Sequence, residues 1–109
     1  MAHRPQIGHK AYHLLVGPGD VPRYVLLPGD PGRVPLIAKH WQEAREVARN
    51  REFTTWVGVY KGVRIAATST GIGSGSTAIA VEELLYAGAD TFIRVGTTGA
   101  LKREIKLGD

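Results

Sequence analysis

Short runs of apolar and β-branched residues, most of them bounded by turns that contain glycine or proline, predict five β-strands along the chain, one of them through residues 46–48 (EVA). Residues 24–27 (YVLL) and 91–95 (TFIRV) are mostly hydrophobic, which predicts strands buried in a core. Residues 53–59 and 63–69 flank the turn sequence at residues 60–62 (YKG). These two strands are therefore predicted to form a hairpin.

The segment after the first strand carries the signals of a helix start. Residues 28–33 (PGDPGR) provide Asp30 as an N-cap and Pro31 for the first helical position. A helix is therefore predicted from this point to about residue 40 or 41.

A second helix start follows the hairpin. The glycine-rich residues 71–75 (GIGSG) are predicted to form a turn, and Ser76 is a suitable N-cap for a helix through Ala87 that Gly88 ends. Apolar residues surround most of this helix, which predicts that it is well buried.

The order of strand, helix, strands, helix and strand predicts an α/β fold, a mixed β-sheet flanked by helices. With 43% hydrophobic and 22% charged residues, the chain has enough apolar surface for a core and no composition typical of disorder. Residues 1–109 are predicted to be the N-terminal part of a single domain. They end on Gly108 and Asp109, which resemble a turn into a further strand, so the fold is expected to be incomplete at the C-terminus.

The charge of the chain favours small anionic partners. Its 14 lysines and arginines exceed its 10 aspartates and glutamates, but the arginines are scattered and several lie beside glycines at strand ends. This distribution argues against a nucleic-acid partner. The absence of cysteine excludes disulfides and thiol chemistry. With neither a signal peptide nor a membrane-spanning run, the protein is expected to be cytoplasmic, without a membrane partner.

Glycines at strand ends with an arginine close by suggest an anion site. Gly29 permits close approach of a ligand to the backbone, and Arg33 lies in the first turn of the predicted helix, whose amides attract anions. Arg94 lies in a predicted strand just before Gly96 and Thr97. In α/β sheets, ligands bind beyond the carboxyl ends of the strands, and these motifs are expected to converge there. Taken singly, an arginine at a helix start is more often a solvated surface residue.

Two other patterns in the chain resemble functional motifs but lack some of the residues that those motifs require. Residues 71–76 (GIGSGS) resemble a dinucleotide fingerprint, but Ser76 replaces its third glycine and Asp90 precedes its strand instead of ending one. The histidines at positions 3, 9 and 40 have no spacing suited to a metal site. His13, considered by itself, is expected to be structural or exposed.

Four ordered motifs resemble nucleoside phosphorylases of the uridine phosphorylase type. They are residues 28–33, 51–56 (REFTTW), 69–84 and 94–100 (RVGTTGA), and the resemblance extends from Tyr12 onward. The purine nucleoside phosphorylases are less similar around residues 51–56 and at the two threonines that follow Gly96, so the resemblance favours uridine.

The resemblance implies a role for several residues. The implied phosphate ligands are Gly29, Arg33, Arg51, Arg94 and Thr97. Arg51 is expected to reach the phosphate of a neighbouring subunit, and His13 the neighbour's ribose 5′-hydroxyl. Arg94 and Thr97 are expected to lie near the ribose as well, at the reacting centre.

The resemblance also implies a monovalent cation, potassium or sodium, held between subunits by Glu52, Ile72 and Ser76. The family has Pro or Ala where this chain has Gly75, a departure that loosens the predicted turn and bears on the cation site more than on the phosphate site. No catalytic metal or redox cofactor is required.

The implied activity is the phosphorolysis of uridine to uracil and ribose 1-phosphate, in nucleoside salvage and catabolism, by a homo-oligomer that is a dimer or a hexamer built as a trimer of dimers. The family's base-recognising residues lie beyond the segments matched here. Two alternatives stay open: a purine nucleoside phosphorylase, and an inactive truncated module that only binds phosphate or oligomerises.

Overall fold

The computed structural model describes residues 6–7, 9–97 and 99–108, with the backbone alone at residues 6–7. In chain order the elements are β1 (Gln6–Ile7), β2 (Lys10–Ala11), β3 (Tyr24–Pro28), α1 (Arg33–Ala38), β4 (Gln42–Asn50), β5 (Phe53–Tyr60), β6 (Val63–Thr68), α2 (Ser74–Ala87) and β7 (Thr91–Val95). The described residues contain no helix of the length and apolar character that a membrane span requires.

Five of the strands form one mixed sheet in the order β4-β5-β6-β3-β7, and β1 pairs with β2 separately. Strand β3 is parallel to both β6 and β7, whereas β4, β5 and β6 are antiparallel neighbours. The predicted mixed α/β sheet and the β5–β6 hairpin are confirmed. The hairpin turns at Lys61 and Gly62, whose φ angles of 49° and 82° match the right-handed twist of the two strands.

Helix α2 packs on one face of the sheet, and Trp41, which follows α1 in the chain, covers part of the other face. Helix α2 contributes Ala80, Leu84 and Ala87 to a core that also contains buried residues from β3, β5 and β6. On the other face, Trp41 lies directly over Gly58 of β5, where a Cβ would be 2.9 Å from the indole ring. Because side chains alternate along a strand, Gly58 faces away from its buried neighbour Val57.

The start of α1 differs from the prediction. The helix begins at Arg33 after Gly32, and Asp30 is not its cap. Instead, Oδ1 of Asp30 accepts a hydrogen bond of 2.9 Å from the amide of Gly32, which closes a turn before the helix. The main chain continues that turn, since the amide of Arg33 donates to the carbonyl of Asp30 and that of Val34 to Pro31. The helix ends at Ala38, with isolated turns to residue 41.

Helix α2 begins three residues earlier than predicted, at Ser74, and Gly73 takes the N-cap position instead of Ser76. Ser76 is therefore inside the helix, and its hydroxyl donates a hydrogen bond to the carboxylate of Glu52 instead of capping the helix. The helix ends at Ala87, as predicted, and Gly88 is its C-cap with a φ of 118°. Only one face is buried, and Leu85 is 44% exposed, so the prediction of a well-buried helix was wrong.

Strand β7 was predicted to be buried and is not. It is the edge strand of the sheet, and the side chains of Ile93 and Val95 are 58% and 37% exposed. The apolar run correctly indicates a strand, but hydrophobicity alone does not say which position it takes in the sheet. The pairing of β3 with β7 aligns Pro28 with Val95. Gly29 and Gly96, the residues that follow these two, therefore lie close together.

Candidate functional site

The carboxyl ends of β3 and β7 open into a cavity of about 900 Å³. Its wall is completed by the loop between β6 and α2. Four of the residues predicted to bind phosphate line it: Gly29, Arg33, Arg94 and Thr97. The parallel pairing of β3 with β7 brings these residues together from segments more than 60 positions apart.

The guanidinium of Arg94 is held by the main chain of two adjacent strands. Its Nη1 donates to the carbonyls of Leu27 and Val95 at 2.8 and 2.7 Å. No carboxylate among the residues that the structure describes forms an ion pair with Arg94 or with Arg33. Two guanidinium groups without a carboxylate partner, on the wall of one cavity, provide the positive charge and the donors that an oxyanion requires.

Two main-chain hydrogen bonds join the loop between β6 and α2 to the end of β3 and the loop that follows it. The amide of Thr70 donates to the carbonyl of Pro28, and the amide of Gly71 to that of Gly29, both at 2.9 Å. Gly71 has a φ of 71°, and a Cβ there would lie 2.7 Å from Cγ of Glu52. Glycine is therefore required at this position, for its backbone conformation and for the close approach of Glu52.

Glu52 brings a negative charge to the same cavity. Its pKa is lowered by a hydrogen bond to its own backbone amide, by the hydroxyl of Ser76 and by the charges of Arg51 and His13. The Ser76 hydroxyl donates to Oε2 of Glu52 at 2.8 Å. The carboxylate is therefore stabilised in its ionised form, and it faces the same space as Arg33 and Arg94.

Of the three residues predicted to hold a monovalent cation, Glu52 and Ser76 are in contact. Ile72 lines the same cavity as Glu52. Within the described ranges no group of three or more His, Asp or Glu side chains converges as a metal site would require. The cation site stays a prediction.

Arg51 and His13 lie outside the main cavity. Arg51 lines a smaller cavity of about 240 Å³ beside α1, and its guanidinium carbon is 5.9 Å from the ring centre of Tyr12. His13 follows β2 and contacts α2 and Asn50. The structure therefore does not bring these two residues to the cavity of their own chain. Of the other residues discussed above, His3, Thr98 and Asp109 lie outside the described residues.

One residue in this region was missed by the sequence reasoning. Glu83 of α2 is 7% exposed, and its carboxylate contacts His13 at 2.6 Å. The signal was present, since a glutamate among Ala80, Leu84 and Ala87 lies on the apolar face of the helix. A carboxylate on such a face needs partners, because burying an unpaired charge is costly.

The chain is similar in sequence to known phosphorylases. The model of a family described as the phosphorylase superfamily matches residues 23–109. The chain is 62% identical over 109 residues to a uridine phosphorylase from Thermococcus kodakarensis, covering 99% of this chain and 39% of that protein. It is 48% identical over 100 residues to a guanosine phosphorylase from Halorubrum lacusprofundi, covering 92% of this chain and 42% of the relative.

Solved structures show the same fold. A uridine phosphorylase from Vibrio fischeri superposes with a TM-score of 0.91 at 43% identity, over 95% of this chain and 44% of that one. A purine nucleoside phosphorylase from Toxoplasma gondii superposes with a TM-score of 0.85 at 38% identity, over 91% of this chain and 40% of that one. The chain thus spans less than half the length of each of these relatives.

Proposed function

The chain belongs to the phosphorylase superfamily, and on this premise we propose that it carries the phosphate-binding part of a site for pyrimidine nucleoside phosphorolysis. In this reaction uridine and phosphate give uracil and ribose 1-phosphate. The observation that carries the proposal is the convergence of Arg33, Arg94, Gly29 and Thr97 on one cavity at the carboxyl ends of β3 and β7.

The chemistry proposed for this site depends on positioning. Phosphate is already a nucleophile, so a site that holds it beneath the sugar accelerates the reaction chiefly by orientation. A phosphate oxygen forms a bond to the sugar carbon while the bond to uracil breaks and its electron pair leaves with the base. Positive charge develops on the sugar, and a phosphate held by Arg33 and Arg94 stabilises that charge.

Arg51 and His13 are proposed to act on the site of a neighbouring subunit. Both lie outside the cavity of their own chain, and Arg51 has no carboxylate partner among the ion pairs of the described residues. Arg51 would add a third guanidinium to the neighbour's phosphate, and His13 would contact the neighbour's ribose 5′-hydroxyl. These two roles require a homo-oligomer, at least a dimer.

A purine nucleoside is the second candidate substrate. The 48% identity to the guanosine phosphorylase supports it. The identity to the uridine phosphorylase from Thermococcus kodakarensis is higher, at 62%, which is why uridine is the first candidate. The two candidates share the phosphate chemistry, and they differ in the base that is released. Parallel assays with uridine, guanosine and inosine distinguish them only in a chain that carries its own base-binding segment. In an extended chain that takes this segment from a relative, the same three assays report whether the phosphate part is functional.

The test compares the chain alone with an extended chain, in which residues 1–109 are followed by the part of the Thermococcus kodakarensis relative that lies beyond the match. We expect phosphate-dependent release of uracil from the extended chain and none from the chain alone. Uracil release by residues 1–109 alone would refute the division into a phosphate part and a base part. A folded, oligomeric extended chain that releases no base from any of the three nucleosides would refute the proposed function.

A further inference from the structure

Glu83 holds the segment around His13 with both of its carboxylate oxygens. Oε1 accepts hydrogen bonds from the backbone amides of His13 and Leu14 at 2.9 and 2.8 Å. Oε2 contacts Nδ1 of the His13 ring at 2.6 Å. All three bonds join α2 to a loop about 70 residues earlier in the chain, so this carboxylate organises the loop and not its own helix.

The orientation of His13 is further defined from the other side. Its carbonyl oxygen accepts a hydrogen bond of 2.8 Å from the side-chain amide of Asn50. Its ring lies edge-on to Tyr12 and Phe53, with centroid distances of 5.0 and 6.4 Å. Main chain and imidazole are thus both positioned, and the side chain keeps 22% of its surface exposed.

The contact with Glu83 also determines which ring nitrogen carries the proton. A carboxylate only accepts hydrogen bonds, so Nδ1 of His13 is the donor in this pair. In the neutral ring the lone pair is then on Nε2, which has no hydrogen-bond partner among the described residues. A nitrogen in that state accepts a hydrogen bond from a hydroxyl group.

We propose that Glu83 is a positioning residue that fixes His13 in the Nδ1-protonated form and presents Nε2 as an acceptor for a substrate hydroxyl. This inference rests on the proposed function for its substrate, a nucleoside whose 5′-hydroxyl is the donor. Glu83 acts through His13 and does not itself contact the substrate. Asn50 supports the same arrangement by holding the carbonyl of His13.

The first test does not depend on catalysis. The ¹⁵N NMR resonances of the His13 ring, recorded on residues 1–109, report which nitrogen is protonated. We expect the proton on Nδ1 in the wild type and on Nε2 in Glu83→Gln, whose amide NH₂ donates to Nδ1 while its oxygen still accepts from the backbone. Glu82→Gln removes a charge from the adjacent, exposed position of α2 and should leave the ring unchanged. A wild-type ring protonated on Nε2, or an unchanged ring in Glu83→Gln, would overturn the proposal.

The second test uses the extended chain. Glu83→Gln should raise the KM for the nucleoside up to about tenfold while the KM for phosphate stays within about twofold, because a single hydrogen bond contributes up to about tenfold in affinity. In a His13→Ala background the same substitution should add nothing. Equal effects on both substrates, or an additive effect in that background, would indicate a structural role only and refute the proposal.

Two further outcomes are informative. If Glu83→Gln does not fold, Glu83→Asp retains the carboxylate with a shorter reach, and it should raise the nucleoside KM alone with the proton still on Nδ1. Displacement of the proton, or an increase in the phosphate KM, would then contradict the proposal. If the extended wild-type chain has no activity, the proposed function fails, and the NMR result by itself decides whether Glu83 sets the state of His13.

Discussion

The guanidinium of Arg94 occupies the space that a side chain at Gly96 would take. A Cβ on Gly96 would lie 2.9 Å from Nη1 of Arg94, and one on Gly29 would lie 3.3 Å from Nη2. Two glycines from adjacent strands therefore form a cradle for this arginine. Nη1 also donates to two main-chain carbonyls, so the backbone itself sets the position of the charge.

Gly96→Ala should displace the guanidinium of Arg94 and weaken phosphate binding without unfolding the protein, because the end of a flexible side chain can move aside. Disruption of a hydrogen bond to a charged group costs about 1.5–3 kcal/mol, which corresponds to a phosphate Kd raised roughly 10- to 100-fold. Calorimetric titration with phosphate measures this. Gly99→Ala, where a Cβ would meet nothing within 4 Å, is the matched control. Equal phosphate affinity in the two variants would contradict the cradle.

Arg94→Ala in the extended chain should impair phosphate use severely. The same range of about 1.5–3 kcal/mol per charged hydrogen bond predicts a loss of roughly 10- to 100-fold or more in kcat/KM for phosphate. Steady-state kinetics with varied phosphate test this expectation. Arg64→Ala removes an exposed arginine that lines other cavities, and it should have little effect. A near-normal phosphate KM and kcat in Arg94→Ala would remove Arg94 from the site.

Arg51→Ala and Arg94→Ala should complement each other when mixed in one oligomer, because the two arginines of one site are proposed to come from different subunits. Random mixing of dimers should restore about a quarter of the wild-type rate, since half of the dimers are mixed and each mixed dimer has one intact site. The measurement is phosphorolysis after joint refolding of the two extended variants. A mixture no more active than the average of its components would place Arg51 outside the neighbour's site.

Ser76→Ala should raise the pKa of Glu52 toward its ordinary value, although only in part, since the bond to the Glu52 amide remains. A carboxyl pKa that folding lowers stabilises the protein above the unfolded pKa, and this contribution is lost as the pH falls through the folded pKa. The stability lost in Ser76→Ala should therefore be present near neutral pH and disappear in acid. Carboxyl ¹³C NMR titration and urea unfolding measure the two effects, with the exposed Ser74→Ala as control. An unchanged Glu52 titration would contradict the pairing.

Gly75→Ala should stabilise the protein by about 0.5 kcal/mol, because alanine loses less backbone entropy than glycine in a helix. The sequence placed Gly75 in a turn, but the structure places it in the first turn of α2, where a Cβ meets nothing within 4 Å. Gly73→Ala is the opposite case: its φ of 99° is strained for alanine, and we expect a loss of about 1 kcal/mol or more. Urea unfolding measures both. A destabilising Gly75→Ala would contradict the helical position.

Much of the secondary structure could be predicted because its signals are local. The strands β3, β5, β6 and β7 lie within a residue of the predicted positions, since glycine, proline and β-branched residues act on their own backbone. The predicted starts of both helices were wrong, and for α2 the reason is a contact between distant residues. Ser76 has the residue type of an N-cap, but its hydroxyl donates to Glu52 instead.

For the site, the sequence by itself determined the chemistry available: arginines beside glycines at strand ends, and the family resemblance that names their expected roles. Only the tertiary structure decided which of them meet. The pairing of β3 with β7 brings Arg33 and Arg94 to one cavity, and Arg51 and His13 lie outside it. The packing of α2 places the carboxylate of Glu83 against the ring of His13. Strand order and helix packing depend on contacts between residues far apart in the chain, which local patterns of residue type do not specify.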